Sequence, residues 1–275
     1  MTRVDPTPML DDEVAVDAGC VSEFQEKGHT VVRGLASPAE VEAYRPLIHE
    51  ATMEHAFDKR PLEERDTYGK AFLQAANLWR RSELVRRFTL SRRFARVAAD
   101  LLGVDGVRLY HDQALFKEAG GGKTPWHQDQ HYWPLDTDRT ITMWMPLVDV
   151  PPSIGTMTFV SGSQRLGYLG EYSISDESDR AFESMIAERS LSLETHGPAS
   201  AGDATFHAGW MLHSAPPNPT GTLRAVMTII YFADGTRVSE PSGPAQEFDL
   251  KIWLRGLSPG DLAAGELNPL VWSRS

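Results

Sequence analysis

From residue 107 onward the chain breaks into short apolar or alternating runs: 108–117, 124–132, 139–149, 155–160, 189–196, 203–208, 211–216 and 223–233. Gly, Pro and Asp separate them, so each run predicts a strand and each break a turn. So many short strands at such close spacing favour an all-β sandwich or barrel over βαβ units. The charged stretch 170–190 is expected to hold a helix or a mobile insert.

The first hundred residues read differently. Residues 1–20 are polar and are expected to be flexible. Gly28 to Leu35 predicts a short strand closed by a glycine turn, and Ser37-Pro38-Ala39-Glu40 is a helix start in which serine caps, proline takes the first position and glutamate completes a capping box. Val41, Tyr44, Ile48 and Ala51 then recur at helical spacing, with Pro46 expected to kink or split the run. A second helix is predicted over 82–102, with Gly103 as its stop. The tail, 240–275, is rich in Pro and Gly but carries Trp253 and Trp272, which predicts a packed cover. The expected organisation is one domain over 1–275, with a helical part at 21–106, a β core at 107–235 and a cover at 236–275.

Composition narrows the partners. A formal net charge of −11 argues against nucleic acid and against an anionic membrane surface. No apolar stretch approaches the ~18 residues of a membrane span. The first seventeen residues carry acids rather than a basic, then apolar, leader. Cys20 is the sole cysteine, so no intramolecular disulfide forms; together these features point to a cytoplasmic protein, its oligomeric state left open. Arg80, Arg81, Arg86, Arg87, Arg92, Arg93 and Arg96 cluster on the second helix; a solvated face is the first reading and a docking site for an anionic partner the second.

The chemistry concentrates in Thr124-Pro125-Trp126-His127-Gln128-Asp129-Gln130-His131-Tyr132-Trp133-Pro134. On a strand, residues two apart share a face, so His127 and Asp129 project side by side. An imidazole and a carboxylate so placed are two thirds of a 2-His-1-carboxylate facial triad, which leaves three positions of an octahedral iron open. An isolated His-x-Asp pair is equally a buried histidine satisfied by its neighbour, so the downstream residues decide. His213 supplies a second imidazole, and eleven residues beyond it Arg224 opens an apolar strand. An arginine entering a buried strand requires an anionic partner, and its fork suits a carboxylate; a protein acid is the alternative partner, though it does not explain the spacing from His213.

This arrangement resembles the phytanoyl-CoA dioxygenase family. The metal strand His127 to Pro134, the strand Trp144-Met145-Pro146-Leu147-Val148-Asp149-Val150 and the approach Gly202-Asp203-Ala204-Thr205-Phe206-His207 are similar to family segments, and the likeness spans roughly residues 22–235. The resemblance implies a mainly β double-stranded β-helix (jelly-roll) core with flanking N-terminal helices. It implies Fe(II) on His127, Asp129 and His213, 2-oxoglutarate anchored by Arg224, and O2 as oxidant, with 2-oxoglutarate decarboxylated to succinate while a small organic substrate is hydroxylated. It departs from the family at Ala215, where a serine is frequent, and at Ile154-Gly155 and Ser161-Gly162-Ser163-Gln164. Halogenation, which needs a small residue in place of the carboxylate ligand, is disfavoured by Asp129.

Further candidates follow from alternation. His131 shares the predicted strand face of His127 and Asp129, so it is a ligand candidate as well as a pocket-wall residue, and is assigned to the pocket wall because a facial triad does not need four ligands; His207 is expected to be a supporting or structural residue. Along 108–117, His111, Gln113, Leu115 and Lys117 fall on one face, which puts Gln113 and Lys117 within reach of co-substrate or substrate. Thr142 and Trp144 share a face of their strand, and the resemblance places such a tryptophan beside the co-substrate. Trp126, Tyr132 and Trp133 offer an aromatic wall for a hydrocarbon-like substrate. Desaturation, epoxidation or rearrangement on the same centre, and a jelly-roll protein that only binds ligands, are the competing functions.

Overall fold

The computed structural model describes residues 7–274; residues 1–6 and 275 lie outside the described residues. In chain order its elements are α1 (Ala18–Lys27), β1 (His29–Val32), α2 (Pro38–His55), α3 (Thr67–Ala71), β2 (Leu73–Ala76), α4 (Glu83–Thr89), α5 (Arg92–Leu102), β3 (Gly106–Phe116), β4 (Thr124–His127), β5 (Thr140–Pro146), β6 (Thr158–Val160), α6 (Asp176–Glu188), β7 (Leu193–Glu194), β8 (Ala204–Ala208), β9 (His213–Ala215), β10 (Val226–Ala233), α7 (Pro244–Ile252) and β11 (Leu270–Ser273).

The strands form two antiparallel sheets. The larger runs β1-β8-β5-β10-β3-β11, with β2 also paired to β3, and the smaller runs β4-β9-β6-β7. Strands next to one another in a sheet are mostly far apart in sequence, as in a jelly roll. Each central strand of the larger sheet is buried on both faces, and alternation sorts its side chains. Met227, Ile229 and Tyr231 of β10 join Ile141, Met143 and Met145 of β5 in the core under α2, α4 and α5. Thr228 and Ile230 point the other way, into a cavity between the sheets.

The helix start at Ser37 forms the predicted capping box, Ser37 Oγ accepting from Glu40 N–H while the Glu40 carboxylate accepts from Ser37 N–H. Val41, Tyr44, Ile48 and Ala51 are the buried stripe, and α2 runs through Pro46 without splitting. The second helix does divide: α4 ends at Thr89 and Ser91 caps α5, accepting from Phe94 N–H.

Two further expectations are corrected. Within residues 1–20, the stretch from residue 7 is packed rather than flexible. Leu10 is buried, its carbonyl accepts from Ser91 Oγ and Arg93 N–H, and the Arg93 guanidinium pairs with Asp12 and Glu40. The arginine cluster is correspondingly not one solvated face. Arg93 is buried in this clasp, Arg96 pairs with Glu13 and Asp100 and lies over Trp272, and Arg80 pairs with Glu266. Arginines here fasten both ends of the chain to the helical layer.

His29 ties the sheets together. It is fully buried on β1, its ring stacks on Phe159 of β6 at 4.5 Å, its Nδ1 lies 2.9 Å from His196 Nε2 and its Nε2 2.7 Å from Ser161 Oγ. Burial, reinforced by His196, pushes its pKa from 6.5 down to about 4. Neutral His29 is therefore the folded form, and its contribution is complete above pH 6.5. As pH falls from about 6.5 to about 4 the unfolded chain takes up a proton that the folded chain refuses, removing stability on the order of 3 kcal/mol. Urea midpoints measured across that window are expected to fall with pH, and less steeply in His29→Asn.

Candidate metal centre and its cavity

The centre is built where the two sheets meet. β4 and β9 pair in a register that sets His127 directly opposite His213, with ring centroids 4.1 Å apart. His127 Nδ1 lies 2.8 Å from Pro125 O and His213 Nδ1 3.0 Å from Met211 O. A carbonyl only accepts, so both Nδ1 atoms carry the proton and both Nε2 atoms present lone pairs. Asp129 Oδ1 stands 3.5 Å from His127 Nε2 and 3.8 Å from His213 Nε2. One donor atom from each of the three residues falls within a 4.8 Å group. Two imidazoles and a carboxylate gathered this closely fit a divalent transition metal, iron included.

Asp129 is oriented by the larger sheet. Thr142 Oγ1 donates to Asp129 Oδ2 at 2.8 Å and His207 Nε2–H to the same oxygen at 3.1 Å, from positions paired across β5 and β8. These two donors occupy Oδ2 and leave Oδ1 turned to the imidazoles. Burial works against charge on Asp129, but His213, His127 and His207 outweigh it and hold the carboxyl well below its usual range. Burial, with His127 and His207 close by, keeps His213 well below the usual histidine range, hence neutral.

A cavity of about 670 Å³ opens from this centre. Arg224 lines it and is fully buried. Nη1 donates to Gly155 O at 2.5 Å, whereas Nε and Nη2 have no partner, and no acid pairs with the group among the described residues. Burial lowers its pKa to about 9, which still leaves a cation at neutral pH. Trp144 flanks the guanidinium at 5.5 Å. A buried, half-satisfied guanidinium facing a cavity has the charge and free donors that suit a carboxylate. Gly155 has a positive φ of 87°, and a Cβ there would lie 2.8 Å from Pro216 O and 3.3 Å from Arg224 Nη1, so both conformation and space require glycine.

The other candidates divide. Gln113, Trp133 and Trp144 line the cavity, as does Thr142, whose hydroxyl is engaged by Asp129. His131 does not line it. The strand stops at His127, Gln128 ties its amide to Gly167 O, Trp210 O and Leu169 N–H, and the chain turns into a 3₁₀ helix over Asp129–Tyr132. That turn breaks the alternation and rotates His131 against Tyr132 and Tyr168. Lys117 is corrected too: it lies behind the wall, its amine donating to Gly122 O and to Thr124 Oγ1, 3.2 Å away, over the Phe72 ring. Trp126 packs instead with Val160, Phe182 and Leu212. His207 takes the supporting position, and α7 contributes lining residues that no local motif announced, Phe248, Asp249, Ile252 and Trp253.

The family model for phytanoyl-CoA dioxygenase (PhyH) matches residues 24–226. The chain belongs to the phytanoyl-CoA dioxygenase family. Among solved structures it is similar to the non-heme alpha-ketoglutarate-dependent carbocyclase SnoK from nogalamycin biosynthesis, with TM-score 0.76 and 25% identity over 94% of this chain and 97% of that one. The epimerase SnoN, solved with Fe3+, alpha-ketoglutarate and nogalamycin RO, matches with TM-score 0.74 and 25% identity over 92% and 98% of the two chains. EctD from S. alaskensis, solved with 2-oxoglutarate and 5-hydroxyectoine, shares the fold, with TM-score 0.67 and 20% identity over 86% and 84%. No curated protein sequence matches the chain. Family and fold place it among the iron- and 2-oxoglutarate-dependent oxygenases. No helix among the described residues is long and apolar enough to cross a membrane.

Proposed function

We propose that the chain is an Fe(II)/2-oxoglutarate-dependent dioxygenase that oxidises a small or medium organic substrate, hydroxylation being the outcome we favour. The observation that carries this reading is the pairing of a His127–Asp129–His213 group with a buried, partly unsatisfied Arg224 on one cavity. His127, Asp129 and His213 would hold the iron, and Arg224 the far carboxylate of 2-oxoglutarate, with Trp144 and Gln113 as walls of that pocket. Bound iron supplies the redox chemistry by which O2 decarboxylates 2-oxoglutarate to succinate and CO2 and oxidises the substrate.

The protein's part is positioning and exclusion. The Pro125 and Met211 carbonyls fix the imidazole tautomers, and Thr142 and His207 fix the carboxylate. Tyr132, Trp133 and Trp253 give the cavity apolar walls that keep water from the reacting atoms. Replacing Thr142 with Val removes one of the two donors on Asp129 Oδ2 at nearly constant volume. Iron affinity is expected to fall by roughly 10- to 100-fold with the fold retained, read by anaerobic Fe(II) titration.

Carbocyclisation and epimerisation, the reactions named for SnoK and SnoN, support a second reading: oxidation of the same kind of C–H bond without a hydroxylated product. The test is succinate formation from 2-oxoglutarate with Fe(II) and O2 across a metabolite panel, with mass analysis of each product. Gain of one oxygen supports hydroxylation, loss of two hydrogens or an isomer supports the second reading, and no succinate with any compound contradicts both.

A further inference from the structure

Resting on that reading, we infer that Asp249 receives a basic nitrogen of the substrate, so that the site takes amines and not anionic acyl conjugates.

Strand register maps the cavity. At one end Arg224 bridges Lys117, and at the other Ile230 of β10 pairs with His111. Six residues along β3 separate these levels by about 20 Å. The same Ile230 pairs on its other side with Thr142, the residue that holds Asp129. His111 thus lies two strands across from Thr142, about 10 Å. The floor over β3 at His111 is therefore a lobe beside the metal centre, at the other end of the strand from where the Arg224 backbone joins it.

A β-bulge shapes that lobe. Ile230 pairs with His111 and Tyr231 with Leu109, which leaves Tyr110 without a partner on β10. The bulge lets Tyr110 and His111 act together at the lobe. The Tyr110 hydroxyl donates to Asp249 Oδ2 at 2.9 Å, and the His111 ring packs on Trp253 at 4.6 Å. Helix α7 lines the lobe with Phe248, Asp249 and Ile252, and its C-cap Trp253 adds a fourth side chain.

The charge balance is one-sided. Asp249 is buried, and the groups bonded to it, Tyr110 and Trp253, are both neutral. Arg224 is the only lysine or arginine among the lining residues, and its backbone joins β3 at the other end from His111. His111 is neutral as well, because burial lowers its pKa to about 4, and its Nδ1 has no partner. Without a cation, burial raises the Asp249 carboxyl to about 7. A carboxyl in this position gains most from an ammonium, which would restore its charge. The indole face of Trp253 and the Phe248 ring would flank that ammonium by cation–π contact. A phosphate or carboxylate in the same lobe would meet Asp249 with no compensating cation.

The experiment uses the full chain loaded with Mn(II) and 2-oxoglutarate under nitrogen, and calorimetry of two probes, naphthylmethylammonium and its neutral N-acetyl derivative. The charged probe is expected to bind at least about tenfold more tightly. In Asp249→Asn that preference is expected to collapse to within twofold while the 2-oxoglutarate heat is unchanged. Equal affinity of the two probes, a preference that survives in Asp249→Asn, or no binding of the charged probe would overturn the assignment. The wild-type comparison stands even where the variant fails to fold. Absence of any 2-oxoglutarate heat would instead strike at the oxygenase reading itself, so the two failures are separable.

Discussion

Replacing Arg224 with Met is expected to weaken 2-oxoglutarate binding by roughly 100-fold while leaving the ligand-free protein as stable as the parent, or more so. A charge-assisted pair with a carboxylate, once truncated, costs about 2–5 kcal/mol, and about 2.7 kcal/mol is a hundredfold in affinity. The second half of the expectation follows from burial. Without ligand, Arg224 keeps Nε and Nη2 unpaired in the protein interior. A buried, unpaired charge is a net destabiliser, and an apolar side chain of similar length removes the penalty. Thermal unfolding without ligand is therefore expected at the same or a higher temperature in Arg224→Met, whereas 2-oxoglutarate should raise the unfolding temperature of the parent alone. Arg224→Lys keeps a charge but not the fork, and should recover only part of the affinity. A structural arginine would behave in the opposite way: Met would destabilise the free protein and leave 2-oxoglutarate affinity intact.

His127→Ala, Asp129→Ala and His213→Ala are each expected to reduce succinate formation to background. Each substitution removes one of three donor atoms that lie within 4.8 Å of one another, and no other His, Cys, Asp or Glu completes such a group among the described residues. Their effects on folding should be small by comparison, since all three side chains line a cavity rather than fill the core. Asp129→Ala carries an extra consequence: it frees the Thr142 hydroxyl and the His207 Nε2–H, which water in the cavity can satisfy. Succinate release and circular dichroism measured on the same samples separate loss of chemistry from loss of fold. Full activity in any one variant would contradict the ligand assignment.

Much of this was legible in the chain because it rests on local rules. The alternating runs after residue 107 became strands, and the Ser37–Glu40 signature became a capping box. The spacing of His127, Asp129, His213 and Arg224 pointed to one site, and the structure brings all four onto one cavity. The failures came where a non-local contact overrode a local pattern. Alternation carried His131 onto the metal face, but the three hydrogen bonds of Gln128 end the strand first. Polarity marked the N-terminal stretch as flexible, yet buried Leu10 and the pairing of Arg93 with Asp12 and Arg96 with Glu13 hold it. Lys117 had the right parity for the cavity, but its amine found a backbone carbonyl behind the wall. Asp249 was invisible for a related reason: it reaches the cavity only because α7 folds back over β3, and no spacing rule links residues so far apart in sequence.

Iron and 2-oxoglutarate must share this cavity for the proposed reaction to occur. Anaerobic addition of Fe(II) and 2-oxoglutarate, followed by visible absorption, tests that most directly. A charge-transfer band that requires both additions, is lost in Asp129→Ala and needs far more 2-oxoglutarate in Arg224→Met is the predicted result. No band in the parent protein, or a band indifferent to both substitutions, would contradict it.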